Sequence, residues 1–113
     1  MSKEREMVLL LDERTKNGTV TWERTGEEDQ FVTSTTGGIS ISIAAVPPRE
    51  PGDDTPDYIL MVKDTDDRDI LSIYNSGDEV TFKDLRSLFE SARRSVLKID
   101  QTISKIVEDL KRR

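Results

Sequence analysis

The last third of this chain holds a thirty-residue run, 81–110, "TFKDLRSLFESARRSVLKIDQTISKIVEDL", that no Gly or Pro interrupts. Phe82, Leu85, Phe89, Ala92, Val96, Ile99, Ile103, Ile106 and Leu110 recur at steps of three and four, the spacing that lines one face of an α-helix. A single helix of this length spans about 45 Å. Its entry is marked by Thr81 with Asp84, a capping-box variant, and by Val80 with Leu85 at the hydrophobic-staple positions. The closing "KRR" complements the negative pole of the helix dipole.

The segments before it set what this helix has to rest on. A first helix is predicted over about 3–16, with Met7, Leu10, Leu11 and the stem of Arg14 turned inward and Gly18 just past its end; a strand over 7–11 is the competing assignment. From Thr19 the apolar period becomes two. "TVTWERT", "FVTSTT", "ISISIAAV", "YILMVKD" and "ILSIYN" read as strands, with the turn "TTGG" between the second and third and "TDDRD" between the fourth and fifth. All four prolines fall in 46–57, a mobile connection by composition. The expected fold is α+β in one domain, 1–113. A five-stranded antiparallel meander over 19–75 has an N-terminal helix over 1–18 and a long C-terminal helix over 81–111, packed on one face.

Five strands about 4.8 Å apart make a sheet only about 20 to 25 Å across. A straight helix therefore overhangs it, and the overhang stays apolar through Ile99, Ile103, Ile106, Val107 and Leu110. One resolution packs the N-terminal helix beside the far half. The other pairs the far half with a second copy, in a two-fold dimer through Val96, Ile99, Ile103, Ile106, Val107 and Leu110. The positions flanking the seam are not the alternating charges of a dedicated coiled coil.

The formal net charge of -6 is unevenly placed. Residues 1–80 carry 8 Lys and Arg against 18 Asp and Glu; residues 81–113 carry 9 against 5. An acidic body with a basic terminal helix disfavours nucleic acid as a partner over the general surface and permits contact between the helix of one copy and the body of another.

There is no Cys and no His. That removes disulfides, thiolate or imidazole metal ligands, cysteine nucleophiles and the commonest general base. Ser, Lys, Asp and Glu occur without a recognisable catalytic spacing, so the reading is not an enzyme, with no cofactor and no metal. The acidic run Asp64, Asp66, Asp67, Asp69 lacks the Gly and the bidentate Glu of a calcium loop and reads as a solvated hairpin turn. The short apolar run 7–11 has acidic flanks, too little for a secretory signal or a membrane span, which points to a cytoplasmic chain without a membrane partner. Arg93, Arg94 and Lys98 lie on adjoining helix faces, either to bind an anion or a partner's carboxylates or to lie over the domain's own acidic edge. Trp22, the only Trp, is expected to anchor the core.

The T-x-x-G-x-x-x-W spacing of Thr15, Gly18 and Trp22 resembles a widespread family of small bacterial proteins with no assigned function. So does the L-x-x-x-ARR segment of Leu88, Ala92, Arg93 and Arg94, and the likeness spans the chain apart from the proline-rich loop. It implies a leading helix and a closing helix but carries over no activity. The functional reading is a non-enzymatic interaction module, homodimeric through the last helix, that presents its sheet face or acidic rim to another protein; an acidic inhibitor or immunity-type protein is one form of it. The alternative is a small-ligand or nucleic-acid-binding regulator that uses Arg93, Arg94 and Lys98.

Overall fold

A computed structural model of the chain describes residues 2–48, 52, 56–74 and 82–113. Its elements are α1 (Lys3–Lys16), β1 (Glu23–Arg24), β2 (Gln30–Ser34), β3 (Ser40–Val46), β4 (Asp57–Lys63), β5 (Asp69–Tyr74), α2 (Phe82–Leu97) and α3 (Ile99–Arg112). The strands form one antiparallel sheet in chain order, the α+β meander that the period-two segments predict. Half of the proline-rich connection (49–51 and 53–55), the cap residue Thr81 and the staple residue Val80 lie outside the described residues.

Strand register decides which side chains meet the helices. Phe31, Ile43, Leu60 and Ile73 form one cross-strand row, and Thr33, Ile41, Val62 and Leu71 the next, all on one face. Against these rows α2 sets Leu85, Leu88, Phe89 and Ala92, all buried, and one core gathers both sides. Three ring contacts join Phe31 to Phe89, Tyr58 to Phe89 and Tyr58 to Phe82 at centroid distances of 5.5, 5.2 and 5.4 Å. Burial pushes the Tyr58 phenol above its ordinary value.

β1 is shorter than "TVTWERT" implies. The Thr33 hydroxyl donates to the Thr21 carbonyl at 2.8 Å, so a side chain meets the backbone where a longer ladder would run. The turn after β2 uses Gly38 at φ +82°, a left-handed value that suits glycine. The acidic turn after β4 is a hairpin held from within. Asp64 accepts from the amides of Asp66 and Arg68 at 2.9 and 3.0 Å, and Arg68 pairs with Asp64 and Asp66.

α1 matches its predicted span and differs in its buried face. Ser2 caps its start by accepting from the Arg5 amide at 3.1 Å. At its end Gly18, at φ +83°, donates to Thr15 and Thr19 donates to Arg14, the paired bonds of a Schellman motif. Val8, Asp12 and Thr15 are buried, whereas Leu10 and Arg14 face solvent. The reason lies far along the chain. The hydroxyls of Ser87 and Ser91 on α2 each donate to the Asp12 carboxylate at 2.5 Å, and Lys16 adds its ammonium at 3.3 Å. Thr15 accepts from Trp22 Nε1 at 2.8 Å and donates to the Leu11 carbonyl at 2.6 Å. A buried carboxylate is tolerable where charge-assisted donors surround it, so polar residues win the inner positions. With Arg5 paired to Asp84 at 3.2 Å, α1 and α2 lie side by side and run in the same direction.

The largest difference is in the terminal run. It is two helices, not one, because Lys98 takes a left-handed conformation, φ 54° and ψ 40°, between α2 and α3. The sixteen residues of α2 cover about 24 Å, and the helix packs on β2, β3 and β4.

Replacing Asp12 leaves the Ser91 hydroxyl without its acceptor in a buried place. Asp12→Ala is expected to lower unfolding stability by about 1–3 kcal/mol in chemical denaturation, while Glu13→Ala, on the exposed side of the same helix, changes it by less than about 0.5 kcal/mol.

Candidate functional site

Beyond Lys98 the chain leaves the body. Among the described elements, α3 packs chiefly against the neighbouring α2. Every residue from 101 to 113 is exposed. The radius of gyration, 15.7 Å, exceeds the roughly 13 Å of a compact chain this long. The stripe that the spacing predicts is present and open: Ile103 is 49% exposed, Ile106 53%, Val107 42% and Leu110 59%. Ile99 is half-buried at the base of the arm. Val96, read in the sequence as part of the same interface, packs instead against the core of its own chain. Cover by α1 does not occur, since α1 lies along α2.

The hinge has no local sequence cause. Lys98 is neither Gly nor Asn, and no side chain caps the start of α3. The amide of Lys98 reaches back only to Ser95, and the first bond of α3 runs from the Thr102 amide to the Lys98 carbonyl, which the Thr102 hydroxyl also meets at 3.1 Å. A left-handed residue with a Cβ costs about 1–2 kcal/mol. The cost falls where packing on the sheet ends.

Two clefts flank the end of α2. The larger, about 590 Å³, lies between the ends of α1 and α2; Trp22 and Val96 line it, with Lys16, Arg94 and Lys98 as its cations. The other, about 450 Å³, holds Arg93 and Leu97 beside Arg24 and the turn residues Glu27, Glu28 and Asp29. The basic cluster read from the sequence is therefore divided. Arg94 and Lys98 share a cleft, Arg93 faces the opposite one, and Lys16 joins the pair in its place. Lys16 was not legible as a partner of Arg94, because its approach depends on how α1 is laid against α2. Cations at the C-terminal turns of two helices also answer the negative poles of those helices.

Trp22 is buried, as an anchor of the core, and its ring nitrogen ties to Thr15 across the turn at Gly18. The T-x-x-G-x-x-x-W spacing is thus one structural unit: an acceptor, a left-handed turn and the donor that returns to it. The outward face of the sheet carries the row Val32, Ser42, Met61, Ser72, mixed in polarity and at most half-buried. Among the described residues no group of three or more acidic side chains is placed to hold a metal ion, and no helix is long and apolar enough to cross a membrane. Compared with protein-family models, with curated proteins and with solved structures, the chain matches none.

A left-handed hinge and a continuous helix respond oppositely to glycine. Lys98→Gly is expected to raise stability by up to about 1 kcal/mol in denaturant unfolding, since Gly enters this conformation without strain. In an unbroken helix the same change would lower stability by about 1 kcal/mol.

Proposed function

We propose that this chain is a non-enzymatic protein-interaction module whose docking element is α3, and that its first partner is a second copy of itself. The observation that carries the reading is the open stripe of Ile103, Ile106, Val107 and Leu110 on a helix of fourteen residues. A helix that short is marginal in water on its own and is normally held by packing of its apolar face. A contiguous apolar stripe in solvent is also what separate soluble chains seldom keep. Pairing two stripes answers both demands and needs no other element of the fold to move.

The acidic body supports the second half of the reading, in which the assembled module meets another protein through its rim or the outward sheet face. Residues 1–80 have ten more acidic than basic residues, a field suited to a basic protein surface in the manner of an inhibitor or immunity-type protein. Nucleic acid is disfavoured by the same field.

A narrower second reading rests on the convergence of Lys16, Arg94 and Lys98 on the cleft beside Trp22. Under it the cleft takes a small anion such as a phosphate group. Calorimetric titration with inorganic phosphate at low salt is expected to show binding that weakens as salt rises and in Lys16→Ala and Lys98→Ala chains; no heat at low salt removes this reading.

Self-association is read directly by sedimentation equilibrium. The full chain is expected to be a dimer at tens of micromolar, and Ile103→Asp with Ile106→Asp to raise the dissociation constant more than about a hundredfold, with the unfolding midpoint of the body unchanged. A monomeric parent chain across that range refutes the proposal.

A further inference from the structure

Resting on that reading, we infer that the two α3 arms pair antiparallel, so that each arm's tip lies at the other's base. The stripe is self-complementary in one such register. Placing Ile99 opposite the partner's Leu110 also places Ile103 opposite the partner's Ile106, so that Ile99, Ile103, Ile106 and Leu110 make mirrored layers about a single two-fold axis, with Val107 beside the partner's Thr102. Gln101, which lines the large cleft, stands on the side of α3 opposite this stripe, so a paired arm leaves that cleft open.

Charge chooses between the two directions. The arm ends in Lys111, Arg112 and Arg113, of which Arg113 pairs with Asp109 at 3.0 Å. Parallel pairing gathers both triads at one end, aligns the two helix dipoles, and sets two acidic bodies side by side at the other end. Antiparallel pairing opposes the dipoles, holds the triads apart and moves the bodies to opposite ends of the pair. No particular ion pair between tip and base is required. The base carries Arg93, Arg94 and Lys98 as well as the carboxylates of Glu27, Glu28 and Asp29, so it neither strongly attracts nor repels a basic tip.

The chain has no Cys, so a single introduced thiol can be labelled without a background. Spin labels on full-length chains carrying Thr102→Cys or Arg112→Cys report the direction by their pair distances. In the antiparallel register the two copies of position 102 are offset by about 8 Å along the axis and those of 112 by about 22 Å, at 1.5 Å per residue. Neutralising the tip with K111Q, R112Q and R113Q is then expected to leave the dissociation constant within about twofold, because no like-charged cluster is relieved.

Short distances at both positions, or a dimer that tightens several-fold on neutralisation, overturn the antiparallel arrangement and leave self-association standing. Absence of any label coupling, together with a monomer by light scattering, overturns the self-association reading and this inference with it.

Discussion

The length of helix that a five-stranded sheet can cover is the constraint on which the rest of this structure depends. α2 buries Leu85, Leu88, Phe89 and Ala92 on the inner rows of the sheet, and Val96 is its last residue in contact with that core. Two residues later the backbone turns left-handed at Lys98. Continued straight, the helix would carry the same apolar pattern past the edge with nothing beneath it. The break redirects the pattern without covering it, and the open stripe on α3 is the consequence. The functional reading follows from this mismatch of lengths more than from any single reactive group.

The second support of the body is polar. Asp12, ringed by Ser87, Ser91 and Lys16, fixes α1 against α2, and Thr15 holds Trp22 across the Gly18 turn. These bonds specify one alignment of the two helices, since a slip by one turn would bury the carboxylate without its donors. The end of α1 is thereby placed beside the end of α2, where Lys16, Arg94 and Lys98 come to share a cleft. Stability and the placement of surface charge have the same cause in this region.

How much of this could be read beforehand depends on the range of the interaction responsible. The strands, the Gly38 turn, the α1 span and the Gly18 cap are local features, and alternation or a turn residue reveals them. The exposed residues of α3 were also legible, because their three-and-four spacing survives the break. The inner face of α1 was not, since Asp12 and Thr15 become inner residues only through hydroxyl and indole partners that the fold delivers. Nor was the hinge, because Lys98 has no preference for a left-handed conformation and the three-and-four spacing runs through it unbroken. Arg93 parted from Arg94 for a related reason: adjoining positions on a helix fall on opposite flanks once that helix is seated on a sheet.

An arm that is folded only because a partner holds it should show this in its backbone. The most direct measurement is amide hydrogen exchange across 99–112 at two protein concentrations a hundredfold apart. Protection of the α3 amides that grows with concentration, while α2 stays protected at both, is the expected result. Fast exchange in α3 at the higher concentration, or protection there that dilution leaves unchanged, would contradict the account.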